Sequence, residues 1–315
     1  MKIVMLDTAT LGEDIDLSPI FALGDATVYK STTPDEVPGR ITEAEILMVN
    51  KIKLTQDNLP FAKHLKLICV TATGYDNIDA DYCREKGIAL CNVPGYSTDS
   101  VAQLTLSMAL SLVSHLPAYR DFVHSGAYTA SGLANHLLPI YHELSSMTWG
   151  VVGGGGIGSR VAEIASAFGA HVLMCRRQAD GRYEQADIDT LCRRSDIISL
   201  HIPLTDSTRN LINRERIATM KPNAILINVA RGAVTDEKAL ADAIEEGRLG
   251  GLGVDVYSKE PFDAEHPFSR ILTYDNVCFT PHMAWGSVEA RERCIAIIAS
   301  NIRSFLSGGN QNRMV

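Results

Sequence analysis

Long apolar runs are missing from this chain of 315 residues, and so is any excess of positive charge. No stretch approaches the roughly 20 consecutive apolar residues that a membrane-spanning helix needs. The sequence passes from Met1 straight into a strand pattern with no secretory signal, so the expectation is a cytoplasmic protein with no membrane partner. Acidic residues outnumber basic ones, 37 against 29, and the net charge of −8 would repel a phosphate backbone. That argues against a nucleic-acid partner while leaving room for small anions bound locally. The seven cysteines include no C-x-x-C pair, and most lie inside apolar runs such as Leu67-Ile68-Cys69-Val70. They read as reduced core residues, which excludes a disulfide framework or a zinc site and leaves no metal to expect. No internal repeat or low-complexity segment is visible, and the Gly-Gly-Asn-Gln-Asn-Arg stretch near the end reads as a frayed tail.

What is present is an ordinary globular composition, 46% hydrophobic and 21% charged, long enough for two domains. Short apolar runs at 2–7, 26–29, 46–50, 65–71 and 88–93 alternate with amphipathic or turn-rich pieces, the pattern of a small doubly wound α/β domain. A turn cluster, Asn92-Val93-Pro94-Gly95-Tyr96-Ser97, precedes a densely apolar helix expected over 98–117. Residues 120–146 show no steady period. The rhythm then resumes with six strands at 151–152, 171–175, 196–202, 224–229, 252–256 and 277–280, and with helices at 159–168, 213–220 and 236–246. A last apolar-periodic helix at 287–306 follows the final strand and returns to the first domain. The expected division is therefore 1–98 plus 287–315 against 99–286.

The second set of strands opens with Trp149-Gly150-Val151-Val152-Gly153-Gly154-Gly155-Gly156-Ile157-Gly158, a buried strand turning into a helix through G-x-G-x-x-G. Gly153 permits the tight turn, Gly155 lets backbone approach a pyrophosphate, and Gly158 lets the helix pack closely on the strand. The N–H groups at the helix start and its positive dipole end then favour phosphate. Four consecutive glycines alone are also compatible with a flexible loop. The helical apolar face that follows, closed by Gly169, favours the dinucleotide turn.

Three polar residues sit where strands end, the ligand-binding edge of open α/β sheets. Arg231 follows the strand 224–229, Glu260 the strand 252–256, and His282 the strand 277–280. Taken singly, each has an ordinary reading as a surface charge or a loop residue. Together they match reduction of a 2-keto acid: a guanidinium to hold the carboxylate and polarise the carbonyl, an imidazole to protonate the alkoxide, and a carboxylate to orient the imidazole.

At this point the chain resembles the D-isomer-specific 2-hydroxyacid dehydrogenases. The matching motifs run in order: Gly74-Tyr75-Asp76-Asn77-Ile78-Asp79, the 92–97 cluster, the Gly153–Gly158 turn, Leu200-His201-Ile202-Pro203-Leu204-Thr205, Asn228-Val229-Ala230-Arg231-Gly232, Asp255 to Pro261, and Thr280-Pro281-His282-Met283-Ala284-Trp285. The resemblance implies a Rossmann dinucleotide-binding domain inserted in a discontinuous flavodoxin-like substrate domain, two doubly wound parallel-sheet domains whose cleft shuts on the substrate. It implies Arg231, Glu260 and His282 as the catalytic set, with His282 as general acid/base, and a homodimer formed through the nucleotide-binding domain.

The cofactor residues it implies are Thr105, the turn residues Gly153, Gly155, Gly156, Ile157 and Gly158, the main chain at His201, Pro203 and Ala230, and Asp255. Thr105 could instead pack in its helix, and Asp255 could be a buried structural carboxylate. Thr73 and Gly74 would bind the substrate carboxylate beside Arg231. Lys51 would add a positive contact if it is not simply a solvated surface lysine. Within the family, the opening Leu11-Gly12-Glu13-Asp14, the Asn50-Lys51 loop and the Ala284-Trp285 pair after His282 resemble glycerate dehydrogenases, also called hydroxypyruvate reductases, acting on small 2-keto or 2-hydroxy acids such as glyoxylate. The alternative is a dinucleotide-sensing, co-repressor-like protein.

One departure is informative. A site selective for NAD places Asp or Glu about 20 residues beyond the glycine turn, to accept hydrogen bonds from the ribose diol. Here Arg176 and Arg177 occupy that place. Arginine offers no acceptor but suits a 2′-phosphate, so NADP(H) is expected in preference to NAD(H). The additional glycines, Gly154 and Gly156, suggest a looser turn.

Overall fold

The computed structural model describes residues 1–179 and 181–315. It divides into two compact units, Met1–Ser97 with Gly286–Val315, and Thr98–Trp285.

The first unit carries a five-stranded sheet: β1 (Lys2–Met5), β2 (Asp25–Val28), β3 (Ile46–Val49), β4 (Leu67–Val70) and β5 (Ala89–Cys91). Every pairing is parallel, in the order β2-β1-β3-β4-β5. That is the flavodoxin-like order, whose direction reverses between β1 and β3. The runs Ile46-Leu47-Met48-Val49 and Leu67-Ile68-Cys69-Val70 are buried on both faces. That is why they read as continuous apolar segments without alternation. The helix Val288–Leu306 belongs to this unit and buries Ala290, Cys294, Ile295, Ile298, Ala299 and Ile302.

The carboxy-terminal tail is not frayed. Residues around Arg313 form an antiparallel bridge with Cys91, Met314 N–H donates to Leu90 O at 2.7 Å, and Asn312 Nδ2 donates to Asn301 Oδ1 at 2.9 Å. β5 is an edge strand, and the tail takes up the main-chain hydrogen bonds its outer side would otherwise expose.

The second unit carries seven strands: β6 (Thr148–Val152), β7 (His171–Cys175), β8 (Glu184–Gln185), β9 (Ile197–Leu200), β10 (Ile225–Asn228), β11 (Gly251–Val254) and β12 (Val277–Phe279). Their order is β12-β11-β10-β9-β6-β7-β8, again with every pairing parallel. Counted from β6 this is the dinucleotide-binding order 3-2-1-4-5-6 with one further strand, reversing between β6 and β9. Trp149 is fully buried in its core, and its indole N–H donates to Ser199 Oγ at 3.0 Å.

Two expectations need correction here. The sheet has seven strands, because the two-residue β8 and the short helix Ile188–Arg194 are too brief to leave a period. The helix expected over 98–117 ends at Val113, and a separate helix, Leu116–His124, starts after His115, whose φ is +49°. Pro117 lies in the first turn of that second helix, where its missing N–H is tolerated, whereas inside one continuous helix it would clash with the preceding turn. The illegible stretch 120–146 contains the rest of this helix and the short helix Ala127–Ser131. No single helix among the described residues is long and apolar enough to cross a membrane.

Candidate active site

The glycine turn leaves β6 at the point where the sheet order reverses. Gly153 has φ +110°, and its N–H donates to Cys175 O at 2.9 Å. A Cβ there would stand 2.4 Å from His201 O, and one at Gly158 would stand 2.0 Å from Gly153 O. Neither position accommodates any side chain. Gly155 differs: a Cβ there would meet nothing within 4 Å, so the flank of the turn that starts the helix Gly156–Ala167 is open to an approaching ligand. A tight inner side and an open outer side at a helix start form a cradle that fits a pyrophosphate. Gly156 and Ile157 begin that helix.

The space left by the additional glycines is filled by neighbours. The methylene stem of Arg176 lies over Gly154, where a Cβ would come within 2.3 Å of Arg176 Cδ, and Thr98 Oγ1 stands 3.4 Å from the corresponding position at Gly156. Arg176 follows β7 directly and is half-buried, whereas Arg177 is exposed. A larger residue at 154 would displace Arg176 from the turn.

His201 follows β9 on the other side of the turn, its N–H donating to Val152 O at 2.8 Å. Both ring nitrogens are sealed from solvent and have no hydrogen-bond partner among the described residues. Burial pushes the imidazole down to about 3. The neutral ring is therefore part of the folded state. In the unfolded chain the group titrates near 6.5. Between these values the unfolded chain binds more protons, so this stabilisation is complete above about pH 6.5 and is lost as pH falls toward 3. The slope is up to about 1.4 kcal/mol per pH unit. Thermal unfolding midpoints should fall on acidification from pH 6.5 to 4, and His201→Gln, which cannot titrate, should flatten that fall. Parallel curves for the two proteins would show that His201 is not responsible.

The remaining expected cofactor residues have specific partners. Thr105 is fully buried, and its hydroxyl donates to Val101 O at 2.8 Å, one turn back in the same helix. Pro203 O accepts from Thr208 Oγ1 at 2.7 Å. Ala230 N–H donates to Asn228 Oδ1 at 3.1 Å, while Asn228 Nδ2 donates to Arg231 O at 2.9 Å. The Asn228 side chain thus holds the turn after β10. Asp255 is buried and accepts from Thr280 Oγ1 at 2.6 Å, Met283 N–H at 2.8 Å and Ala284 N–H at 2.9 Å. Burial raises its carboxyl despite these bonds. In the structure Asp255 braces the segment that carries His282.

Arg231, Glu260 and His282 follow β10, β11 and β12, neighbouring strands of one parallel sheet, so all three lie beyond the same edge. His282 Nδ1 stands 2.6 Å from Glu260 Oε2, and Glu260 Oε1 accepts the Tyr257 N–H at 3.0 Å. His282 has φ +55°, a left-handed backbone that non-glycine residues seldom adopt and that clusters at functional sites. Arg231 Nη1 donates to Ala230 O at 2.8 Å. Its neighbour Gly232 packs onto the loop bearing Glu260, and a Cβ there would come within 2.1 Å of Tyr257 C. Asn228, Tyr257 and Thr280 are participants that reading the sequence missed, although each lies inside a motif that marked the site.

In the first unit, Lys51 follows β3 and Thr73-Gly74 follow the neighbouring β4. The Asp7 carboxylate accepts the main-chain N–H groups of Asn50 at 2.9 Å and Lys51 at 2.6 Å, tying the end of β1 to the loop after β3. Thr73 Oγ1 donates to Val93 O at 2.9 Å, and Asn92 Nδ2 donates to Thr73 O at 2.7 Å. The loops after β3 and β4 are joined through Asn77 Nδ2, which donates to Asn50 O and Ile52 O.

Residues 106–284 match the family model for the D-isomer specific 2-hydroxyacid dehydrogenase NAD binding domain. The chain belongs to the D-isomer-specific 2-hydroxyacid dehydrogenase family. A hydroxypyruvate reductase of Blautia hydrogenotrophica is 33% identical over 99% of both chains. Among solved structures, D-lactate dehydrogenase from Aquifex aeolicus, complexed with NAD and lactic acid, superposes with a TM-score of 0.86 at 32% identity, covering 98% of this chain and 96% of its own. An acyclic imino acid reductase (Bsp5), in complex with NADPH and D-Arg, gives 0.86 at 30% identity over the full length of both. This 2-hydroxyacid dehydrogenase is accordingly an oxidoreductase that uses a nicotinamide dinucleotide.

Proposed function

We propose that this dehydrogenase reduces hydroxypyruvate to D-glycerate, or glyoxylate to glycolate, with NADPH as the preferred donor. The observation that carries the reading is the contact between His282 Nδ1 and Glu260 Oε2 at 2.6 Å, beyond the same sheet edge as Arg231. A bound nicotinamide dinucleotide supplies the hydride. Arg231 holds the substrate carboxylate and polarises the keto group, with Lys51 and the main chain at Thr73 and Gly74 as further carboxylate contacts. His282, oriented through Nδ1 by Glu260, protonates the emerging alkoxide from Nε2. In the opposite direction the same nitrogen takes the hydroxyl proton.

For the cofactor, the residues we assign are the main chain of Gly153, Gly155, Gly156, Ile157 and Gly158 to the pyrophosphate, and His201, Pro203, Ala230 and Asp255 to the nicotinamide half. Arg176, assisted by Arg177, takes the 2′-phosphate. The absence of an acidic residue at this place removes the acceptor for a ribose diol. Substrate choice rests on the hydroxypyruvate reductase relative and on the small charged groups assigned to the acid. The test is a panel of short 2-keto acids with NADPH and NADH, followed by loss of reduced-cofactor absorbance. No turnover of any short 2-keto acid would sink the reading, and faster turnover of lactate-type or bulky acids would correct the substrate.

We further propose a homodimer through the nucleotide-binding unit. Leu133, Leu137, Leu138, Ile140 and Tyr141 are all more than half exposed along one segment, a density of apolar surface that marks an interaction site. Sedimentation equilibrium reading the mass of a single chain would remove this proposal. The seven cysteines are all free thiols, which suits a reducing compartment, and we place the enzyme in the cytoplasm. Recovery from an oxidising compartment on fractionation would contradict that placement.

A further inference from the structure

Glu237 stands in the first turn of the helix Glu237–Glu245, directly after its N-cap Asp236, whose side chain accepts the Ala239 N–H. A glutamate at that place ordinarily projects into solvent, where it complements the helix dipole. This one is 8% exposed, and its buried partner His266 is 7% exposed. Glu237 Oε1 accepts the Ser258 N–H at 2.8 Å, Oε2 accepts the Ser258 hydroxyl, and His266 Nε2 lies 3.1 Å from Oε2. His266 Nδ1 accepts the Phe268 N–H at 3.3 Å, which leaves Nε2 as the ring nitrogen that can donate to the carboxylate. Both oxygens are thereby engaged by three donors, which meets the demand of a buried acidic group.

What this cluster grips is the loop that carries Glu260. Tyr257 N–H donates to Glu260 Oε1, Ser258 is bonded twice to Glu237, and Glu260 Oε2 meets His282. On its other side the same loop backs onto Gly232, next to Arg231. A buried carboxyl is costly to keep where an apolar residue would pack, and in some proteins such groups give a uniquely specified arrangement in return.

We propose that Glu237 is a positioning residue: with His266 behind it and Ser258 in front, it fixes the loop 257–260 so that the Glu260 carboxylate meets the His282 imidazole. This rests on the reading of Glu260 and His282 as the pair that handles the substrate proton. It adds a layer that orients Glu260 itself, drawn from the helix that follows the Arg231 turn.

The test compares E237Q, E260Q and the double variant in kcat, KM and NADPH affinity, with amide hydrogen exchange at Tyr257 and Ser258 measured on the unliganded chain. Glutamine keeps the size of Glu237 and one acceptor oxygen, but its NH2 replaces the other, so it cannot accept the Ser258 N–H on one side and the Ser258 hydroxyl and His266 on the other. E237Q should lower kcat by about tenfold to a hundredfold, keep NADPH affinity within about twofold, and speed exchange of both amides. The double variant should fall no further than E260Q alone, because the two residues act through one contact. A wild-type kcat in E237Q beside an impaired E260Q overturns this inference alone, as does a double variant whose loss is the product of the single losses. A wild-type kcat in E260Q overturns the role proposed for Glu260, and the inference with it. If E237Q does not fold, S258A removes one donor and leaves the carboxylate in place. It should lower kcat by about threefold, and an unchanged kcat there overturns the inference.

Discussion

Replacing His282 with asparagine lowers kcat for 2-keto acid reduction by about 10² to 10⁴ while leaving NADPH affinity in place. Asparagine suits the site because His282 has φ +55°, and asparagine is among the few residues that tolerate the left-handed region. The backbone turn after β12, with His282 N–H donating to Thr280 O, can then persist, as can the Asp255 bonds to Met283 and Ala284. What disappears is the group proposed to give up a proton as the alkoxide forms, because an amide does not ionise in this range. Steady-state kinetics together with fluorescence titration of NADPH separate the two effects. A variant retaining more than about a tenth of the wild-type kcat would remove His282 from the role of general acid, since such groups contribute at least about a hundredfold.

The second large effect concerns the choice of dinucleotide. In Arg176→Asp the cation proposed to pair with a 2′-phosphate becomes an anion that would repel it and could accept from a ribose diol. Juxtaposed like charges cost several kcal/mol, and charge-assisted bonds to phosphate are roughly twice as strong as neutral ones. The ratio of kcat/KM for NADPH to that for NADH should therefore fall by about 10³ or more, each 1.4 kcal/mol being tenfold. The Arg176 stem lies over Gly154, so a shorter aspartate leaves room beside the turn and introduces no clash. An unchanged ratio, or a wild-type enzyme that prefers NADH, would place the arginine elsewhere, for instance stacked on the adenine.

Much of this was legible in the sequence. Strands buried on both faces announce themselves as short apolar runs, because a parallel sheet covered by helices needs no polar face; Ile46–Val49 and Ile225–Asn228 are examples. The glycine turn was legible for a steric reason, since backbone at 2.0 to 2.4 Å forbids a Cβ at Gly153 and Gly158. Arg231, Glu260 and His282 stood out because each follows such a run, and adjacency of their strands then places them beyond one edge. Their types and positions in the chain are local information.

Other features were decided only when the chain closed on itself. The two-residue β8 has no period of its own and exists by pairing with β7. The polar tail, composed like a disordered end, is held because β5 is an edge strand with hydrogen bonds to give. Glu237 reads locally as a solvated first-turn acid, and burial beside Ser258 and His266, 21 and 29 residues away in sequence, makes it a support for the site. His201 likewise becomes a neutral ring with both nitrogens sealed from solvent only when the chain folds. The alternation of strands and helices, the glycine turn and the chemical groups at the strand ends all follow from side-chain type and spacing. Which polar groups lose water and which find a partner depends instead on surfaces contributed by segments far apart in the chain, and these meet only on folding.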